Sequence, residues 1–137
     1  MTDADLAVIE STLATELPVF YRLFLIQHAD ELRSISTIIP TRSILDYTPE
    51  AIIYHNRLAR DDEWAYRKSP LPSNLFVVGL HACDDYFFVK LDGSDEAVWA
   101  AYRDIGSFDQ EADSLGGFLE RLREDAKDPD KWQHPVN

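Results

Sequence analysis

This chain of 137 residues is short of basic side chains, cysteine and glycine. Lys and Arg number 13 against 25 Asp and Glu, which leaves a formal charge of −12. A field of that sign repels nucleic acid and anionic lipid, so neither is an expected partner. Acidity also serves solubility, so it excludes more than it identifies. The lone cysteine, Cys83, cannot close an intramolecular disulfide, and a reducing, cytoplasmic compartment is the expectation. Met1 is followed by Thr2, Asp3, Ala4 and Asp5, the reverse of a basic signal-peptide start. Long apolar runs are missing: the longest, residues 17–26, contains Arg22 and is too short to span a bilayer. Of five glycines only Gly116 and Gly117 are adjacent, and they open a helix, so no phosphate-cradling loop is present. Internal repeats and low-complexity tracts are absent as well.

The length suits one domain that buries a core without staples, with residues 1–126 as the domain and 127–137, which hold two prolines, as a tail. The most informative stretch is LPSNLFVVGLHACDDYFFVKL, residues 71–91. Residues 75–80 are almost continuously apolar and predict a strand buried on both faces; residues 86–91 predict a second. Residues 81–85 between them suit a hairpin turn. Asp92-Gly93 is a further turn signal, leading to a third strand over 97–102 in which Val98, Ala100 and Tyr102 alternate with Ala97, Trp99 and Ala101.

Around this three-strand meander the spacing predicts helices. Asp3 is placed to cap a first one carrying Leu6, Ile9 and Leu13 on one face. Leu17-Pro18 breaks it and starts a second, apolar nearly all round over 19–26, with Phe20, Leu23 and Phe24 as its tightest stripe; such a helix is expected to be buried. Residues 32–47, rich in Ile, Ser and Thr and cut by Pro40, suit one or two short edge strands. Thr48-Pro49-Glu50 is a strong helix start. That helix is expected to reach about Tyr66, with a narrow apolar face of Ile52, Ile53, Leu58 and Ala59 suited to the surface. Asp113 or Ser114 caps a last helix with the stripe Leu115, Phe118, Leu119 and Leu122. The fold class is α+β: an antiparallel-rich sheet packed by N-terminal, middle and C-terminal helices.

Candidate chemistry is thin. His81, Cys83, Asp84 and Asp85 cluster, but His and Cys supply two ligands where a metal needs at least three. No H-x-x-x-H, C-x-x-C or EF-hand pattern supplies the others, so no metal and no cofactor are expected. An acidic setting disfavours a Cys83 thiolate. Asp84-Asp85 fits a solvated turn better than an acid–base pair. His28 and His55 stand alone, and Arg57, Arg60, Arg67 and Lys68 share a helix with Asp61, Asp62 and Glu63, so no basic patch forms. Trp99, among small alanines, suits the core; Trp64, among charges, is as well suited to a contact as to packing. What remains is acidic surface at 61–63, 84–85, 92–96 and 104–113, all expected in turns, loops and helix ends. Carboxylates gathered on one side would form a negative plate.

Taken together, Leu17-Pro18 with Tyr21, Phe24 and Leu25, then Thr48-Pro49-Glu50, Asn56 and Trp64, resemble the SMI1/KNR4 family of the SUKH superfamily. Leu71-Pro72, Phe76-Val77-Val78-Gly79, Asp85-Tyr86-Phe87-Phe88, Val98-Trp99 and Ser114-Leu115 with Phe118-Leu119 continue the resemblance, which runs from about Leu6 to Leu122. His28-Ala29, Asp84 and Lys90 depart from the family's usual Asn-Gly, glycine and aspartate. The resemblance implies a SMI1/KNR4-like fold and a non-catalytic interaction domain. Bacterial members are similar to immunity proteins that neutralise toxins, many of them nucleases; fungal relatives resemble regulators of cell-wall synthesis. The expected role is therefore an immunity protein, not an enzyme, whose partner is a basic toxin domain. The expected contacts are Asp61, Asp62, Glu63, Trp64, Asp84, Asp85 and Tyr86. The alternatives are a regulatory or scaffold module without a toxin, and a small enzyme or ligand-binding domain using His81, Cys83 and Asp85.

Overall fold

Among the described residues, four helices and five strands follow one another as α1 (Asp3–Leu13), α2 (Val19–Ser36), β1 (Ile44–Leu45), α3 (Pro49–Arg60), β2 (Leu75–Leu80), β3 (Tyr86–Lys90), β4 (Val98–Tyr102), β5 (Ser107–Ala112) and α4 (Leu115–Lys127). The computed structural model describes residues 1–39, 44–61, 72–81, 85–102 and 107–129. The sheet is antiparallel in the order β1-β2-β3-β4-β5, which makes the domain α+β as the pattern implies.

The helix starts follow local chemistry. Thr2, rather than Asp3, caps α1: its hydroxyl accepts from the Asp5 N–H at 3.1 Å, and the Asp5 carboxylate accepts from the Thr2 N–H at 3.0 Å. This reciprocal pair satisfies two otherwise orphaned donors. The backbone N–H of Thr2 holds the Asp5 carboxyl below its usual range, and the hydroxyl adds to the effect. Glu10 then fixes the corner into α2, accepting from the Leu17 N–H at 2.8 Å and from the Arg22 guanidinium. Thr48 caps α3 through the Ala51 N–H with Pro49 in the first turn, and Ser114 caps α4 through the Gly117 N–H, as expected.

Three elements differ from the sequence expectation. First, α2 continues to Ser36, so the start of the stretch read as edge strand is helix, and among its described residues Ile44–Leu45 pair as β1. The continuation has a packing reason, because Ala29, Leu32 and Ile35 extend the stripe begun by Tyr21, Phe24 and Leu25. Second, α3 ends at Arg60, with Asp61 already extended at φ −73° and ψ 145°; the expected run on to Tyr66 lies outside the described residues. Third, Ser107–Ala112 is a strand and not an acidic loop. It lies at the sheet edge, where Asp109 and Gln110 are exposed; polar and charged residues are how edge strands avoid further pairing.

The hairpin forms where the apolar runs predict it. The His81 N–H donates to Asp85 O at 2.7 Å, closing the end of the β2–β3 ladder, and the first five residues of β2 and the first four of β3 are buried. One face of the sheet (Phe76, Val78, Phe87, Val89, Val98 and Ala100) packs under α1, α2 and α4. The rings of Phe87 and Phe118 meet edge-on at 4.8 Å there. The opposite face carries a smaller cluster of Leu75, Val77, Tyr86 and Phe88 with Ala59 of α3. Because Ile52 enters the first cluster and Ala59 the second, α3 straddles the flank of β2. Trp99 joins the smaller cluster half-buried. Gly79 lies where β1 crosses: a Cβ there would stand 2.3 Å from Ile44 O and 3.0 Å from Leu45 Cα. Only glycine permits that approach.

Candidate protein-binding surface

The flank of β2 is where the structure is most polar inside. Beyond the two residues paired with β1, Val78 O accepts from the backbone N–H of Asp46 at 2.8 Å, and backbone groups of Val77 and Leu75 are met by side chains of α3. Asn56 is fully buried; its amide donates to Val77 O at 2.8 Å and accepts from the Val77 N–H at 2.8 Å, as a neighbouring strand would. The same amide also donates to Ile52 O at 2.9 Å. Arg60 reaches past it to Leu75 O at 3.1 Å and to Asn56 Oδ1 at 3.1 Å. Nearby, His55 Nδ1 lies 2.8 Å from the Asp46 carboxylate, which is itself only 6% exposed. The Asp46–His55 pair ties the segment after β1 to α3, so His55, read from sequence as solitary, has a buried partner. Sequence alone offers little warning of it: the partners are nine positions apart on different elements. Tyr21 shares the neighbourhood of Asp46. Burial, with Asp46 adding, pushes its hydroxyl well above the usual range, and the hydroxyl has no hydrogen-bond partner among the described residues.

Of the contact set expected from sequence, Asp61, Asp85 and Tyr86 lie among the described residues. Asp61 is exposed at the end of α3. Asp85 and Tyr86 are only 7% and 4% exposed, so they belong to the start of β3 and not to a presented tip. Their burial follows from the ladder closing at His81–Asp85, and the Tyr86 ring faces His55 at 5.9 Å. Asp62, Glu63, Trp64 and Asp84 lie outside the described residues, as does Cys83. Among the described residues no group of three or more His, Cys, Asp or Glu is placed to hold a metal ion.

Acidic groups do gather at the turn between β3 and β4. Asp92 accepts from the Ser94 N–H at 2.9 Å, Asp95 accepts from the Ala97 N–H at 3.0 Å, and Gly93 takes the left-handed conformation at φ 69°. The Ser94 N–H holds the Asp92 carboxyl below the usual carboxylate range, and the Lys90 ammonium, 2.8 Å away, does the same for Asp95. Lys90 thus anchors this turn, and it lies 5.1 Å over the Trp99 ring. Glu96 is exposed beside them.

Against this turn stands an apolar surface that sequence reasoning placed in the core. Val19, Leu23 and Ile26 of α2 are 70%, 50% and 43% exposed, while Tyr21, Phe24 and Leu25 are buried. The expectation of a helix buried all round is corrected: only one stripe meets the sheet, and the tightest sequence stripe, Phe20, Leu23 and Phe24, is split between inside and outside. An open depression of about 750 Å³ separates Val19, Phe20 and Leu23 from the turn at Leu91–Glu96. A second, of about 290 Å³, continues along Leu23, Phe24 and Gln27 toward Ser114 and Gly116. A helical-wheel count would have found the stripe, because residues 19, 23 and 26 lie opposite residues 21, 25 and 32 at 3.6 residues per turn.

No helix among the described residues is long and apolar enough to cross a membrane. No curated protein and no solved structure matches the chain. The family model described as SMI1 / KNR4 family (SUKH-1) matches residues 1–121, which takes in every element up to the middle of α4. The α+β arrangement and the order of its elements agree with that match, and the chain belongs to the SMI1/KNR4 (SUKH-1) family.

Proposed function

We propose that this chain is a non-catalytic immunity protein of the bacterial type, which neutralises a cognate nuclease-type toxin by covering a basic surface with an acidic one. Family membership over residues 1–121 carries this reading. The charge of −12 supports it, since a basic nuclease domain is drawn to such a field over long distances. The exposed carboxylates of Asp61, Asp92 and Glu96 are fitted to that role. Such a protein works by shape and potential and is expected in the cytoplasm, where the incoming toxin acts.

Co-expression tests it. Cells producing the toxin domain encoded beside this gene should survive only when this chain is also made, and the purified pair should associate more slowly as salt rises. Cell death regardless of the chain refutes the role. A regulatory module without a toxin partner is the second reading, which the same family membership admits. A neighbourhood with no toxin gene, together with capture of a signalling or cell-envelope enzyme, would favour it.

A further inference from the structure

Folding leaves the first turns of α2 with apolar surface facing water. Val19, Leu23 and Ile26 share one face, and the next residue on that line, Asp30, is polar and exposed. The apolar stripe is therefore confined to the part of α2 that borders the β3–β4 turn. The groove between them has Val19, Phe20 and Leu23 on one wall and Asp92, Asp95 and Glu96 on the other. No Lys or Arg lines it among the described residues. Its far wall is low. A Cβ at Gly93 would meet nothing within 4 Å. The turn's Ser94 and Ala97 N–H groups are already used by Asp92 and Asp95, so the groove offers an extended peptide little backbone to pair with. From residue 19 to residue 28 the groove follows α2 for roughly 14 Å, the length of about ten helical residues.

We propose that this groove is the docking site for a basic amphipathic helix of a partner protein. The partner's apolar stripe packs on Val19, Phe20 and Leu23, in the helix-in-groove manner, and its Lys and Arg flanks meet Asp92 and Glu96, Asp95 being held by Lys90. The assignment rests on the protein-binding reading above and names the face and the chemistry of the partner. A second copy of this chain is a poor occupant, because it would bring its own acidic turn and its share of the −12 charge to the same place.

The test uses the full chain, isotope-labelled, and a synthetic 16-residue peptide with Leu at i, i+3, i+4 and i+7 and Lys elsewhere. Amide shifts should move at residues 19–28 and 91–96. A peptide with Glu in place of Lys should bind at least about tenfold more weakly by anisotropy. Leu23→Glu should weaken binding at least about tenfold with an unchanged thermal transition, and Glu96→Lys about threefold or more with a shallower salt dependence. Should Leu23→Glu disturb folding, Val19→Glu, on the most exposed side chain of the stripe, carries the same comparison. Shifts at another face, no binding, or equal affinity for the Glu peptide would overturn the assignment. Self-association in sedimentation that Leu23→Glu abolishes would also overturn it, giving the groove to a second copy. Binding at another face leaves the protein-binding reading intact, whereas failure of the co-expression assay removes the immunity role whatever the peptide does.

Discussion

Replacing Asn56 tests whether side-chain hydrogen bonds hold α3 to the sheet. In Asn56→Ala the N–H and C=O of Val77, a residue with no exposure, both lose the partner they have at 2.8 Å. An unsatisfied buried group costs about 1–3 kcal/mol, so the pair amounts to about 2–6 kcal/mol. That is a large part of the roughly 5–15 kcal/mol that holds a domain together. A cavity contributes as well, so Asn56→Leu, which refills the volume without restoring the bonds, separates the two effects. Denaturant unfolding should place both variants well below the parent, with Leu recovering only the cavity part. Amide exchange gives a local readout. The Val77 N–H, which no strand pairs on that side, should be strongly protected in the parent and exchange at least about a hundredfold faster in either variant. If Asn56→Leu stays within about 1 kcal/mol of the parent, or if the parent's Val77 amide exchanges freely, the helix is held by apolar packing and the reasoning fails.

Gly79→Ala places a methyl 2.3 Å from Ile44 O and should cost about 1–3 kcal/mol or detach β1, read as a lower denaturation midpoint; an unchanged midpoint would contradict the close approach. Tyr21→Phe removes a buried hydroxyl that has no partner among the described residues, and should leave stability equal or raise it by about 1 kcal/mol; a loss of that size would reveal a bond the hydroxyl makes. Glu31 accepts from Arg123 Nε at 2.7 Å and Nη2 at 2.8 Å, joining α2 to α4, and the guanidinium holds its carboxyl below the usual range. A depressed carboxyl stabilises above its unfolded pKa and loses that contribution as pH falls through the folded one. Both side chains are over a third exposed, so a Glu31→Gln, Arg123→Gln double-mutant cycle should give only a small coupling at pH 7, which shrinks as acid protonates Glu31; coupling that grows on acidification would reverse the sign.

The parts of the fold legible in the sequence are those whose causes are local. The cap and proline of α3 lie in three adjacent residues, and the buried hairpin lies in two apolar runs separated by a turn. The second half of α2 was hidden because Ser34, Ile35 and Ser36 are as suited to a strand as to a helix, and only the fit of Leu32 and Ile35 against the core decides between them. The strand β5 was hidden by its own edge position, since Asp109, Gln110 and Glu111 give no period-2 apolar signal. The candidate surface was legible as charge but not as place. Counting carboxylates does not show that Asp85 is buried while Asp92 and Glu96 face a groove, and Asn56 meets Val77 across 21 positions.

The amide of Asn56 does more than hold a helix down. A row of unsatisfied backbone groups along a flat apolar strand is a template on which a foreign strand can grow, and β2 is the most apolar strand of this sheet. By impersonating a neighbour at Val77, that side chain joins β1 and Arg60 in keeping the row occupied. Conditions that lift α3 away without melting the sheet would therefore be more dangerous to the molecule than full denaturation. They would expose an intact, ordered, sticky margin, and the first symptom would be fibrils rather than loss of binding.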